Sequence, residues 1–223
     1  MPSPKVSLTL KFLQENVQDL LSIYNAGQFE LVVSKIKPLK EVFPQSAILL
    51  NLEGASYQSL QMHQAAIDSY KQAIKIKPDY DEAFNNMGNA LKGKGELEGA
   101  ISSYKKAIKV NSECVDAYYN LSISLNEIGE FKEARKNAEC FIKLKPNSAE
   151  SYYLLGFYLS KDNLGEAIEN CNKALKMRPD YILAHDLMAN YIRHYIWLLN
   201  IKLIGKIEQV DELIKLEQEK LQI

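Results

Sequence analysis

The sequence predicts an all-α chain in which short antiparallel helix pairs stack into a solenoid. Three observations predict it. First, apolar residues recur at helical spacing in segments too short to bury a stripe alone. Ala83, Phe84, Met87, Ala90 and Leu91 share one face, and Leu97, Ala100, Ile101, Tyr104, Ala107 and Ile108 share another. Second, Lys92-Gly93-Lys94-Gly95 lies between them, where glycine lets the backbone turn through positive φ. Third, the pattern returns at a shift of thirty-four residues: Phe84 becomes Tyr118, Met87 becomes Leu121, Gly95 becomes Gly129, Leu97 becomes Phe131 and Ala100 becomes Ala134. In the other direction Ala100, Tyr104 and Ala107 become Ala66, Tyr70 and Ala73. A fixed period of this length marks a stacked helical solenoid.

These residues also resemble the tetratricopeptide repeat family. The shared pattern is a bulky residue early in the first helix, a Leu-Gly pair as at Leu155-Gly156, and a small residue opening the second helix face. An aromatic, another alanine and a closing proline follow. The resemblance spans roughly Leu13 to Tyr181. It implies a right-handed superhelical solenoid of about five such repeats, with first helices lining a concave side and second helices the outside. The expected organisation is a leader and helix start over 1–12, an array over 13–181, and a degenerate sixth repeat with C-terminal capping helices over 182–223. The repeats are expected at about 13–46, 47–80, 81–114, 115–148 and 149–181.

Taken in order, Met1 to about Lys5 are expected to be disordered, because Pro2 and Pro4 disfavour helix. A helix is predicted from near Ser7 to Asn25, its stripe formed by Leu10, Leu13, Val17, Leu20, Leu21 and Tyr24. Gly27 falls in phase with Gly95 and Gly129. Pro38 lies inside the next helical pattern and predicts a kink or break there. In the second repeat Glu53 stands where the family pattern has leucine. Leu49, Leu50 and Leu52 are expected to carry the packing, with Glu53 reaching an edge. The fourth repeat carries Ala138 where Tyr104 stood and Phe141 where Ala107 stood, a swap that preserves volume. The fifth is one residue short around Ser160 to Gly165, which its turn absorbs. The last segment opens like a further first helix, with Ala184, Met188, Ala189 and Ile192 as its face. No turn glycine follows, Gly205 is expected to interrupt the apolar run, and a polar-faced helix is expected beyond it.

Composition narrows the function. With 27 basic and 28 acidic residues the net charge is −1, which argues against a general affinity for nucleic acid. Cys114, Cys140 and Cys171 are widely spaced, and no C-x-x-C occurs, so neither a disulfide framework nor a metal site is expected. No apolar run is long enough to span a membrane, and no signal-peptide pattern opens the chain. A soluble, cytoplasmic protein is expected. His63, His185 and His194 lack metal-ligand spacing, and no phosphate-loop, dinucleotide or nucleophile-elbow motif is present. A non-enzymatic protein without a cofactor is expected.

The resemblance places the groove on the non-core face of each first helix. Its candidate lining is Asn51 and Ala55 in the second repeat, Asn85, Asn86, Asn89 and Lys92 in the third, Tyr119, Asn120, Ile123 and Asn126 in the fourth, and Tyr153, Leu154, Phe157 and Lys161 in the fifth. Asparagine offers donor and acceptor together, which suits an extended peptide backbone. Asn86 and Asn120, one period apart, look similar to the asparagine ladder of O-linked N-acetylglucosamine transferases. Tyr119, Tyr153 and Phe157 would add an aromatic floor. The positions of the family's carboxylate-gripping lysines hold Asn51, Asn85 and Tyr119. The expected function is a protein-interaction scaffold that binds an extended peptide or a helix of a partner. Two alternatives stand beside it. One is a substrate-recognition domain of, or partner to, a glycosyltransferase- or sulfotransferase-like enzyme. The other is self-assembly, with Tyr195, Trp197, Leu198 and Leu199 forming a homo-oligomer contact or docking another domain.

Overall fold

The computed structural model describes the backbone of residues 4–159 and 163–220, and the side chains within them except those of 4–10, 195, 198, 207, 208 and 210–220. The described residues form helices α1 (Pro4–Asn25), α2 (Phe29–Val42), α3 (Ala47–Ser59), α4 (His63–Ile76), α5 (Asp81–Gly93) and α6 (Leu97–Val110). They continue with α7 (Val115–Glu127), α8 (Phe131–Leu144), α9 (Ala149–Leu159), α10 (Leu164–Met177) and α11 (Ile182–Lys220). The chain divides into two units, Met1–Leu144 and Lys145–Ile223.

One turn closes each helix pair of the first unit. Gly95 N donates to Lys92 O at 2.9 Å and Glu96 N donates to Leu91 O at 2.9 Å. This is the paired bonding of a helix that ends through a left-handed residue. The same bonds recur around Gly27 and Gly129, and φ is +75°, +87° and +85° at Gly27, Gly95 and Gly129. In the second repeat the position is filled by Gln61, which adopts φ 60° without being glycine.

In the first unit α1 pairs with α2, α3 with α4, α5 with α6 and α7 with α8, while α2, α4 and α6 each pack on the helix that follows. Ala66, Ile67, Tyr70, Phe84, Met87, Ala90, Ala107 and Ala117 form a core shared by α4, α5, α6 and α7. Val17, Leu20, Val32, Ile36, Leu49 and Leu52 do the same for α1 to α3. Glycine on the first helix admits an aromatic from the second. A Cβ at Gly54 would lie 2.6 Å from Tyr70 Cε1, and one at Gly88 would lie 2.4 Å from Tyr104 Cε1. In the fourth repeat the aromatic has moved: Ser122 and Ala138 are buried, and Phe141 is buried with its ring 5.3 Å from Tyr119.

In the second unit α9 pairs with α10, and α11 packs on both. α10 starts with Asn163, whose Oδ1 accepts from Glu166 N at 3.1 Å, a side-chain N-cap. Cys171 Sγ donates to Ala184 O at 3.0 Å. No helix among the described residues is long and apolar enough to cross a membrane.

Five expectations need correction. The first helix begins at Pro4, not near Ser7, because proline is accepted in a first turn, where its missing donor is not needed; residues 1–3 lie outside the described ones. Pro38 does not break α2, which runs to Val42. Pro38 and Ser34 are both exposed, so water reaches the carbonyl that the missing N–H would have bonded. Glu53 is not at an edge. It is 6% exposed and compensated: Lys40 Nζ stands 2.6 Å from Oε1 and Ser69 Oγ donates to Oε2 at 3.0 Å. Gly205 interrupts nothing, since α11 continues through it for 39 residues in all; a lone glycine costs a helix only about 1 kcal/mol relative to alanine. The buried face of α11 is Ala184, Leu187 and Tyr191, while Ala189 and Ile192 are exposed and Met188 is half-buried.

Candidate partner groove

Five hydrogen bonds between successive first helices share one spacing. The Tyr24 and Ser59 hydroxyls lie 3.2 Å apart, linking α1 to α3. Asn86 Nδ2 donates to Asn51 Oδ1 at 3.3 Å, linking α3 to α5. Asn120 Nδ2 donates to Asn85 Oδ1 at 3.0 Å, and Lys92 Nζ donates to Glu127 Oε1 at 2.7 Å, both linking α5 to α7. In the second unit the Tyr191 hydroxyl donates to Gly156 O at 2.8 Å. Each pair is thirty-five residues apart, one more than the repeat. Adjacent helical positions explain the extra residue. Asn85 faces forward to the next repeat and Asn86 faces back to the previous one, so contacts join position i to i+35.

This seam takes up much of the predicted lining. Asn51, Asn85 and Tyr153 occupy the same position in their repeats, and all are buried, at 5%, 6% and 7% exposure. Tyr153 packs its ring 5.4 Å from Tyr181 and 6.2 Å from Phe157, and Leu154 is fully buried. Lys92 is paired to Glu127, and Tyr119 packs on Phe141. Asn120 and Asn126 are half-buried on α7. Lys161 lies outside the described residues. On α11, Trp197 is 56% and Leu199 48% exposed, and the Trp197 ring stacks 5.7 Å from that of His194. The side chains of Tyr195 and Leu198 lie outside the described set.

What remains open is a cavity of about 780 Å³ in the first unit, walled by α1, α3 and α5. Three predicted residues, Asn51, Asn86 and Asn89, line it, and so does Ala55. Val17, Leu21, Ile48 and Leu52 give it an apolar side. Its other lining includes Tyr24 and Tyr70, expected only as packing residues, and Gln58, Tyr80 and Glu82. A signal for Glu82 was present: Glu82, Asn86 and Asn89 fall at i, i+4 and i+7, one polar stripe along α5.

The polar groups of the groove hold one another in place. Asn51 Nδ2 donates to Glu82 Oε1 at 3.0 Å while its oxygen accepts from Asn86. The Tyr104 hydroxyl donates to Asn89 Oδ1 at 2.8 Å, and the Tyr70 hydroxyl to Gln58 Oε1 at 3.2 Å. Burial, then the neighbouring Glu82 carboxylate, push the Tyr80 hydroxyl up to about 12. Burial, then Tyr24 and Glu82, push that of Tyr70 well above the ordinary tyrosine range. These groups suit recognition by hydrogen bonding. Among the described residues, no cluster of His, Cys, Asp and Glu forms a metal site.

A family described as "TPR repeat" matches residues 54–95 and 88–129, and one described as "Tetratricopeptide repeat" matches 149–181. The chain is 30% identical over 76 residues to a probable UDP-N-acetylglucosamine–peptide N-acetylglucosaminyltransferase of Arabidopsis thaliana, a match covering 34% of this chain and 8% of that protein. It is 33% identical over 58 residues to small glutamine-rich tetratricopeptide repeat-containing protein 2 of Mycosarcoma maydis, covering 26% of this chain and 16% of that one. The chain thus spans less than a fifth of the curated relatives it matches. The crystal structure of MamA is similar with a TM-score of 0.60 and 26% identity, covering 71% of this chain and 93% of MamA.

Proposed function

The chain belongs to the tetratricopeptide repeat family, and from that premise we propose that it is a non-enzymatic scaffold holding an extended segment of a partner protein between α1, α3 and α5. One observation carries the reading: the cavity of about 780 Å³ is lined mainly from first helices, the concave side in this family, and includes the half-buried amides of Asn86 and Asn89. Amides braced by neighbours pay little ordering entropy when they meet a peptide backbone. The apolar side at Leu21, Ile48 and Leu52 accommodates a side chain of the same segment. A reducing, cytoplasmic setting belongs to this reading, since Cys114, Cys140 and Cys171 are all free thiols.

A photocrosslinking amino acid at Ala55, inside the groove, tests the proposal against one at Asp68, on the exposed face of α4. In the native cell the Ala55 probe is expected to label a partner at a single extended stretch. Labelling from Asp68 alone would move the interface to the outer face and end the proposal.

A second reading is favoured by α11. Ile196, Trp197, Leu199, Leu203 and Ile204 are each about half exposed, and apolar surface of this extent marks docking sites. On this reading α11 seats a second copy or another domain. A constant sedimentation coefficient from micromolar to millimolar protein removes the second copy.

A further inference from the structure

The groove has a sign. Its described lining contains one carboxylate, that of Glu82, beside His63 and no lysine or arginine. Glu82 is exposed to the cavity rather than neutralised in a core, and Asn51 Nδ2 fixes its Oε1 at 3.0 Å. Asn51 is itself held by Asn86, so the carboxylate stands on a braced wall. Tyr24, Tyr70 and Tyr80 line the same cavity. Tyr70 is buried and Lys77 Nζ already stands 4.6 Å from the Tyr80 ring centroid, so what the lining offers a cation is the carboxylate itself, through a charge-assisted hydrogen bond. An acidic segment would meet Glu82 with no compensating cation on the lining.

We infer that the segment taken by this groove carries a lysine or arginine side chain seated against Glu82. The inference rests on the groove reading above and names the chemistry of its occupant. The long alkyl stem of either side chain can lie along exposed apolar surface of the lining such as Ile48 while its head reaches the carboxylate. The amides of Asn86 and Asn89, on the same stripe of α5 as Glu82, are then placed for the neighbouring backbone.

The test is selection of a phage-displayed random dodecapeptide library on the intact chain and on Glu82→Gln. The glutamine keeps an oxygen for Asn51 and sits at an exposed position, so the fold is expected to hold, with circular dichroism as the check. The wild-type chain is expected to enrich peptides with Lys or Arg at one fixed position. A synthetic copy of the leading peptide should bind Glu82→Gln roughly tenfold more weakly, the scale of one charge-assisted hydrogen bond. Glu139→Gln, which alters an exposed carboxylate of α8 outside the groove, should leave that affinity unchanged. Peptides enriched without a basic position, or a basic preference that survives Glu82→Gln, would overturn the inference and leave the groove standing. A library that enriches nothing would remove both.

Discussion

Helices α5 and α11 open alike and end differently. Each buries an alanine near its start, Ala83 and Ala184, and each turns an inner face to a neighbouring second helix. After Gly93, α5 stops in the bonded turn around Gly95, and α6 returns along it. α11 runs on to Lys220, about 58 Å of helix at 1.5 Å per residue. From Ile192 to Ile204 its described side chains are exposed. An apolar stripe therefore does not set the length of a helix in this chain. In the first unit the end of each first helix is set by a left-handed residue at the right phase, and burial is set by a helix that comes back.

Deleting one large side chain from each region should separate them most. Tyr104 is fully buried against Gly88, and its hydroxyl is held by Asn89. Tyr104→Ala is expected to cost about 3–5 kcal/mol, the range for an aromatic removed from a core. Trp197→Ala on α11 should change stability by less than about 0.5 kcal/mol, as exposed positions do. Urea unfolding followed by helical circular dichroism reads both. A comparable loss from Trp197→Ala would mean that α11 is buried in solution, through self-association or an equivalent contact.

One substitution made in both helices should change sign. An alanine at 88 would press its Cβ to within 2.4 Å of a ring that cannot retreat without losing its bond to Asn89. Gly88→Ala is expected to destabilise by about 1–3 kcal/mol. At Gly205 nothing among the described residues lies within 4 Å of a new Cβ, so Gly205→Ala should stabilise by up to about 1 kcal/mol through helix propensity alone. Equal signs would break the contrast.

The array was legible in the sequence because its determinants are local and periodic: a glycine in phase, and a small residue facing an aromatic. The groove was less legible, for a physical reason. Asn51 and Asn85 stand on the polar-looking side of their helices, yet that side abuts the next first helix, and the contact joins residues thirty-five apart rather than thirty-four. A reading fixed on one helix at a time cannot separate a seam from a surface. Glu53 escaped for a related reason. Its partner Lys40 is thirteen residues upstream, on a helix of the preceding repeat, where no short-range charge pattern pairs them. Searching for polar pairs at the period plus one would have found the seam, Asn86 included, and Glu82 and Asn89 would then have remained as the open polar positions of α5.

The smallest expected effect tests the turn that separates α5 from α11. The three glycine joints and Gln61 are spaced at the repeat, at 27, 61, 95 and 129, and all have positive φ. Glycine holds that conformation without steric cost, whereas any other residue pays roughly 1–2 kcal/mol for it. Gln61→Gly removes that penalty but adds about 0.5–1 kcal/mol of backbone entropy to the unfolded chain. A net gain of about 0.5–1 kcal/mol should remain, visible as a rise in the urea midpoint. Gln61 also lines the groove, so its side chain has one other means of contributing. A fall in stability on Gln61→Gly would mean that its contacts there outweigh the strain. In that case the second turn is held by the groove it borders rather than by the backbone rule that ends α5.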